Sequence, residues 1–180
     1  MPRARAKPVL TKARPVRAEA AQVATKVKSF RTGAPTQRRA MKVLIAVDGS
    51  VYTRRMLDFL IRNFGANAEP PDFTVLHAVT RVSAHALTVL ERSVMRHYYQ
   101  DEAATVFRPI HRRFDKLGIK ADFIYRVGNP AAVIATAAES GRFDVVIMGS
   151  QGSHALKRLV MGSVATRVMA QCKVPVLLVP

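Results

Sequence analysis

The chain has little cysteine and few acidic residues. Cys172 is the only cysteine among 180 residues, so one chain can form neither an internal disulfide nor a cysteine metal cluster. We expect Cys172 to be a small buried side chain of a helix rather than a redox group. Only 12 residues are acidic, whereas 29 are lysine or arginine, and the formal net charge is +17. This excess of one sign makes polyanions candidate partners.

Long apolar runs are absent as well. No stretch approaches the roughly 20 apolar residues that span a bilayer, and the N-terminus lacks the apolar core of a secretory signal peptide. These absences predict a cytoplasmic protein with no membrane contact. Apolar residues still make up 49% of the chain, which is enough to form the core of one domain of ordinary size.

Much of the positive charge lies in the first 40 residues. They hold 11 of the basic residues and one acid, Glu19. Alanine, proline, lysine and arginine dominate this segment, and such a composition buries too little apolar surface to offset the entropy of ordering. We predict a disordered basic tail over 1–40 and a folded domain over 41–180. Three roles of the tail stay open: a solvated extension with no dedicated partner, a contact with nucleic acid or another polyanion, and an organelle transit peptide.

From Met41 onward, apolar strands alternate with amphipathic helices. The predicted strands cover 41–47, 72–79, 120–127, 144–149 and 174–180, and the predicted helices lie between 50 and 65, at 85–117, between 129 and 141, and at 163–172. Ser50 and Asn129 are the expected N-caps, with Pro130 at a first helical position. This order of elements predicts an α/β protein, an open five-stranded parallel sheet with helices on both faces.

The long helical region 85–117 has two further predicted features. Four residues recur at helical spacing and are expected to share its buried face: Leu87, Leu90, Val94 and Tyr98. Pro109 is expected to kink this helix or to split it in two. The sequence HYYQDE (97–102) has a second interpretation, as an interaction patch, but the buried face for Tyr98 is favoured.

A glycine-rich segment follows the fourth predicted strand. Gly149, Gly152, Gly162 and Ser163 form the pattern G-x-x-G-x9-G-S between a buried strand and a helix. The pattern is neither a Walker A loop nor the G-x-G-x-x-G dinucleotide fingerprint. Glycine lets a bulky ligand approach the main chain. Unpaired N–H groups at a helix start, here at Gly162 and Ser163, attract an anion.

The ligand that these residues predict is a nucleotide. Open parallel sheets bind ligands beyond the carboxyl ends of their strands, where the glycine segment meets the loops after the first two strands. Lys157 and Arg158 could contact the same anion as the helix start. The Asp48 carboxylate suits a ribose hydroxyl or a bound Mg²⁺. We therefore predict a sugar near Asp48 and phosphates near Gly162 and Ser163.

Catalytic and metal-binding patterns are missing from the rest of the sequence. The five histidines form neither H-x-x-x-H nor H-E-x-x-H, and His77 is expected to be a hydrogen-bonded group of the core or of a pocket rim. Ser50, Ser150, Ser153 and Ser163 have no pattern of His and Asp partners that would make a nucleophile. We predict no catalytic residue and no metal site built by the protein itself.

From about Met41 to Pro180 the sequence resembles the universal stress protein family. The matching segments are KVLIAVDGS, VLHAV, GNPAAVI and the stretch from DVVIMGS to the C-terminus. The nucleotide-binding branch of that family is marked by G-x-x-G-x9-G-S/T, which is intact here. Gln151 departs from the family, whose members usually carry His or Arg at this position, and Pro109 and the basic tail are also unusual.

The resemblance implies a Rossmann-like fold of the adenine-nucleotide α-hydrolase type that binds ATP, with Mg²⁺ carried by the nucleotide. The implied contacts are Ala46, Asp48 and Ala78 at the adenine and ribose, Met148 and Gly149 at the sugar and α-phosphate, and Gly152, Gly162, Ser163 and Val164 at the phosphates. The resemblance also implies a homodimer built by the last strand, VPVLLVP, which is short, apolar and suited to an exposed sheet edge. The alternative is an ordinary buried strand in a monomer.

Three functions remain open. The first is an ATP-binding module of the stress response that hydrolyses ATP slowly or not at all. The second is an enzyme of the wider adenine-nucleotide α/β superfamily. Such enzymes usually carry His-x-Gly-His or Ser-Gly-Gly-x-Asp-Ser after the first strand, and VDGSVYT contains neither, which favours the binding module. The third, association with nucleic acid through the tail, is compatible with the first.

Overall fold

Nine helices and strands alternate along the described part of the chain. The computed structural model describes residues 39–64, 70–82, 91–153 and 161–180. The elements in chain order are β1 (Lys42–Val47), α1 (Val51–Phe64), β2 (Asp72–Val79), α2 (Arg92–Lys116), β3 (Ala121–Val127), α3 (Pro130–Ser140), β4 (Val145–Gly149), α4 (Ser163–Gln171) and β5 (Val176–Val179). The predictions for the tail over 1–38, for Leu87 and Leu90, and for Lys157 and Arg158 lie outside the described residues.

β1 is the central strand of a five-stranded sheet. The strand order is β3-β2-β1-β4-β5, and each neighbouring pair is parallel. The chain winds from β1 out to β3 and then crosses to β4 on the other side of β1. The winding therefore reverses between β1 and β4, which is where an open α/β sheet forms a crevice at the carboxyl ends of its strands.

Each face of the sheet carries its own apolar core. Alternate residues of β1 point to opposite faces, so Val43 and Ile45 belong to one core and Leu44 and Ala46 to the other. The first core includes buried residues of α1 and α2, and the second includes buried residues of α3 and α4. The predicted parallel sheet with helices on both faces is confirmed.

The predicted helix caps are present. The Asn129 side chain accepts hydrogen bonds from the N–H groups of Ala131, at 3.1 Å, and Ala132, at 3.3 Å, and Pro130 is the first residue of α3. The Ser50 hydroxyl accepts a hydrogen bond from the Thr53 N–H at 3.3 Å. These short-range signals fix where α1 and α3 begin.

Of the two outcomes expected at Pro109, a kink or a split of the long helix, the split is wrong. α2 is one helix of 25 residues with Pro109 inside it. A proline in a helix interior removes one backbone hydrogen bond and costs about 3 kcal/mol. Burial of the neighbouring Phe107, Ile110 and Phe114 stabilises the helix against that cost, because each buried side chain of this kind contributes roughly 1.5–3 kcal/mol.

The predicted buried face of the same helix is also wrong at Val94 and Tyr98, the two of its four residues that the structure describes. Val94 is 49% exposed and Tyr98 is 45% exposed. The buried residues of α2 are instead Met95, Ala103, Phe107, Ile110 and Phe114, and the last four belong to the same core as apolar residues of β2 and β3. Two apolar sets fit a helical spacing in this segment, and contact with the sheet selects the second.

Cys172 is half-buried and lies at the C-cap of α4 rather than inside the helix. The sequence predicted a buried residue of the helix, so this prediction is wrong by one position, because the helix ends at Gln171.

Among the helices of the described residues, none combines the length and the apolar character needed to cross a bilayer.

Candidate functional site

A cavity of about 540 Å³ lies at the carboxyl ends of β1, β2 and β4. Its lining includes all nine residues that the sequence singled out: Ala46, Asp48, Ala78, Met148, Gly149, Gly152, Gly162, Ser163 and Val164. These residues come from four separate parts of the chain. The structure brings them together because the ends of parallel strands share one edge of the sheet.

The floor of the cavity consists of small and apolar strand residues. Ala46 of β1 lies beside Leu76 of β2 and Met148 of β4 in the sheet register. Ala46 and Met148 are almost fully buried, and Ala78 ends the β2 side of the floor. Alanine side chains at two of these strand ends leave space above the sheet for a flat, apolar group.

The Asp48 carboxylate connects two loops of the site. Oδ1 accepts hydrogen bonds from the Ser50 N–H at 3.0 Å and from the Thr53 hydroxyl at 2.8 Å. Oδ2 accepts a hydrogen bond from the Ser153 N–H at 2.9 Å. The adjacent Gly49 has a φ of +76°, a left-handed conformation that suits glycine in this tight turn. Asp48 therefore holds the glycine segment against the turn between β1 and α1.

These hydrogen bonds keep Asp48 ionised. Burial raises the pKa of Asp48, but the hydrogen bonds from Ser50, Thr53 and Ser153 outweigh burial and bring the pKa below its ordinary value of 3.8. Donors of the protein therefore occupy much of the acceptor capacity of the carboxylate. The contact of Asp48 with a ribose hydroxyl or with Mg²⁺ stays a prediction.

The glycines of the segment are required by contacts inside the protein. A β-carbon on Gly152 would lie 2.7 Å from Asp48 Oδ2, and one on Gly149 would lie 2.9 Å from Tyr52 Cβ. A β-carbon on Gly162 would lie 3.2 Å from the Cα of Gln151. The segment therefore packs against itself and against α1 so closely that side chains at these three positions would displace it.

The start of α4 presents free backbone donors to the cavity. The Gly162 N–H donates to the Ser150 carbonyl at 2.8 Å, and the first helical hydrogen bond runs from the Thr166 N–H to the Gly162 carbonyl. The expectation of a free N–H at Gly162 is therefore wrong. Within the described residues, the N–H groups of Ser163, Val164 and Ala165 have no acceptor, and all three residues line the cavity.

The helix starts around the cavity differ in how their donors are used. α3 also begins at the cavity, with Pro130 in its lining, but Asn129 caps its first turn. α4 has Gly162 at the N-cap and no side-chain cap. Its first-turn N–H groups, together with the positive end of the helix dipole, form the one uncapped anion site that the described residues place on this cavity.

The sequence did not predict the part of the lining that comes from α2. Tyr98 and Glu102 line the cavity, together with His77 and Thr80 from the expected region at the end of β2. The His77 Nδ1–H donates to the Val47 carbonyl at 2.8 Å, as expected for a hydrogen-bonded residue at a pocket rim. The sequence HYYQDE (97–102) did indicate an interaction patch. Within it, Tyr98 and Glu102 are four positions apart and therefore share one face of the helix.

The described residues contain no group of three or more His, Cys, Asp or Glu side chains placed to hold a metal ion. Asp48 and Glu102 are the carboxylates in the lining of the cavity. A divalent cation here would therefore take its ligands mainly from a bound phosphate and water, which Mg²⁺ commonly does.

Comparison with known proteins gives the family of the chain. The model of the universal stress protein family matches residues 40–180. Universal stress protein YxiE of Bacillus subtilis is 26% identical over 146 residues, which cover 77% of this chain and 97% of YxiE. The solved structure of MJ0577 from Methanocaldococcus jannaschii superposes with a TM-score of 0.64 at 27% identity, covering 77% of this chain and 94% of that one.

A plant relative was solved with a ligand. The structure of a universal stress protein family member from Arabidopsis thaliana with AMP bound superposes with a TM-score of 0.55, covering 77% of this chain and 90% of that one. Its identity to this chain is 16%, so the likeness concerns the fold. The match of the family model to all but the first 39 residues shows that this chain belongs to the universal stress protein family.

Proposed function

We propose that this protein binds ATP in the cavity at the carboxyl ends of β1, β2 and β4 and acts as a nucleotide-dependent module of the stress response. The observation that carries the proposal is the set of N–H groups at Ser163, Val164 and Ala165, which line the cavity and have no acceptor among the residues that the structure describes. Family membership and the AMP in the Arabidopsis relative support an adenine nucleotide as the ligand.

The phosphates are assigned to the start of α4. Three N–H donors, the Ser163 hydroxyl and the positive end of the helix dipole all favour negative charge at this point. Hydrogen bonds to a charged oxygen contribute about 1.5–3 kcal/mol each. The sugar and base then extend across the small residues Ala46 and Ala78 toward β2, because the two carboxylates of the lining, Asp48 and Glu102, repel phosphate.

A binding role is favoured over rapid hydrolysis. A general base for water needs a carboxylate or imidazole that is free to accept a proton. Asp48 lies next to the glycine segment, but its lowered pKa and its three internal hydrogen bonds make it a weak base. Slow hydrolysis, or none, is consistent with these contacts.

A proline substitution tests the assignment of the phosphates. Ser163→Pro deletes one N–H donor and the hydroxyl, yet proline is favoured at the first position of a helix. Gly162 has φ −74° and ψ 155°, which is the extended conformation that a residue before proline adopts. Pro130 already starts α3 in this way. We expect Ser163→Pro to bind ATP at least tenfold more weakly, as measured by calorimetric titration of the full chain in 0.15 M salt.

Two controls make this test specific. Ser163→Ala removes the hydroxyl but keeps the N–H group, and it should lose less affinity for ATP than Ser163→Pro does. Adenosine, which has no phosphate, should bind both variants as it binds the wild-type protein. Equal ATP affinity of Ser163→Pro and the wild-type protein, with both folded, would remove the phosphates from the start of α4.

We also propose that two chains associate through β5. β5 is an edge strand of the sheet, and Leu177 on it is 36% exposed. Pairing of one side of β5 with β4 leaves the backbone groups on its other side available to a second copy. A two-fold axis beside this strand would join two five-stranded sheets into one continuous sheet.

A further inference from the structure

We propose that Tyr98 and Glu102 of α2 form a base-recognising rim of the cavity, in which the Tyr98 ring stacks on the base and the Glu102 carboxylate accepts a hydrogen bond from the 6-amino group of adenine. This proposal rests on the proposed binding of a nucleotide. Both residues line the cavity, both are exposed, and neither belongs to the glycine motif.

The rim is positioned by the length of α2. Its 25 residues extend about 37 Å at 1.5 Å per residue, whereas the eight residues of β2 extend about 27 Å. α2 follows β2 and runs back along it, and the Phe107 ring lies 6.2 Å from the ring of His77 near the carboxyl end of β2. The first turns of α2, which carry Tyr98 and Glu102, therefore project past the end of the sheet.

Contacts on either side of the rim fix the face that it presents. Tyr98, Glu102 and Val106 are four residues apart and share one face of α2. Val106 packs against the turn after β1, since a β-carbon on Gly49 would lie 3.4 Å from Val106 Cγ2. The Tyr99 hydroxyl accepts a hydrogen bond from the Val82 N–H at 3.3 Å, which holds the same stretch of helix to the segment after β2.

Unlike the other carboxylate of the cavity, Glu102 has no partner among the residues that the structure describes. Asp48 accepts three hydrogen bonds from the protein. No hydrogen bond or ion pair joins Glu102 to another described residue. Within the lining that is described, Glu102 is thus the carboxylate with its full acceptor capacity available to a ligand.

The order of groups in a nucleotide matches the order of groups along the cavity. The N–H donors of α4 lie beside the end of β4, Ala46 is the second-last residue of the central strand, and the rim lies beyond β2. Neighbouring strands are about 4.8 Å apart, so a ligand that places its phosphates at α4 carries its base toward α2. An aromatic face and an acceptor at that end suit a purine that bears an amino group.

Substitution of Glu102 separates this proposal from the binding of phosphate. Calorimetric titration of the full chain compares ATP with purine riboside triphosphate, in which a hydrogen atom replaces the 6-amino group, and with 2′-deoxy-ATP. We expect the wild-type protein to prefer ATP over purine riboside triphosphate by about fivefold, because only ATP offers an amino group from which the carboxylate accepts a hydrogen bond. Glu102→Gln should lose most of that preference. Asp101→Asn, which makes the same charge change one residue away and outside the cavity lining, should keep it.

Substitution of Tyr98 tests the stacking. Tyr98→Leu should weaken ATP and adenosine by the same factor of about three to ten, while Tyr98→Phe, which keeps the ring, should bind both ligands as the wild-type protein does. An unchanged preference for ATP over purine riboside triphosphate in Glu102→Gln would overturn the rim. So would a Glu102→Gln variant that loses discrimination against 2′-deoxy-ATP instead, or equal affinities of Tyr98→Leu and Tyr98→Phe. Absence of ATP binding by the wild-type protein would instead overturn the proposed function.

Discussion

Asp48 and Gly152 lie so close together that no side chain fits at position 152 beside the carboxylate. The Asp48 carboxylate accepts the Ser153 N–H, and a β-carbon at Gly152 would enter the space of Oδ2. The sequence predicted that both residues lie in the site. It could not predict that they contact each other, because Ser153 lies 105 positions after Asp48 and only the folded sheet brings the two loops together.

The hydrogen bonds of Asp48 predict a dependence of stability on pH. Because the pKa of Asp48 is lowered in the folded protein, the ionised carboxylate stabilises the fold above its ordinary pKa of 3.8, and this contribution is lost as the pH falls through the folded pKa. We expect Asp48→Asn to lower the free energy of unfolding by about 1–3 kcal/mol at pH 7. The difference from the wild-type protein should shrink at pH 3, as measured by urea denaturation.

A surface carboxylate provides the comparison for Asp48. Asp101 is exposed and carries the same charge, and Asp101→Asn should change the free energy of unfolding by less than about 0.5 kcal/mol at either pH. If the cost of Asp48→Asn were as large at pH 3 as at pH 7, the carboxylate charge would not be what holds the two loops together.

At the scale of elements, local sequence signals predicted where helices begin, but they did not predict which helix face packs against the sheet. Asn129, Pro130 and Ser50 determine helix starts through neighbours one to three residues away, and these starts are where the sequence placed them. The buried face of α2 depends on contact with β2 and β3, so its periodicity alone selected the wrong set of residues. The same limit applies to the Gly162 N–H, whose acceptor on Ser150 depends on the return of a loop.

The proposed dimer can be tested at the edge strand. Leu177→Lys would place two like charges next to the two-fold axis between copies of β5, which disfavours edge pairing. We expect the wild-type protein to sediment as a dimer and Leu177→Lys as a monomer in analytical ultracentrifugation. Leu117→Lys changes another exposed apolar residue, at the end of α2, and should sediment as the wild-type protein does. A wild-type monomer would contradict the proposed pairing.

At the scale of the whole molecule, the sequence divides into a basic tail and a family domain. The first 40 residues account for 10 of the 17 net positive charges, and the family model begins at residue 40. Contact of the tail with nucleic acid stays a prediction from composition. The arrangement of the domain, in contrast, followed from sequence because alternating strands and helices admit few topologies, and the glycine motif marked the end of β4.

The central claim is that free backbone N–H groups at the start of α4 bind the phosphates of ATP. Nuclear magnetic resonance of the ¹⁵N-labelled full chain of 19.8 kDa reports each backbone N–H separately during a titration with ATP. The claim predicts that the N–H signals of Ser163, Val164 and Ala165 move strongly with ATP and much less with adenosine, because a hydrogen bond to phosphate deshields the proton. Saturable ATP binding that leaves these three signals in place would contradict it.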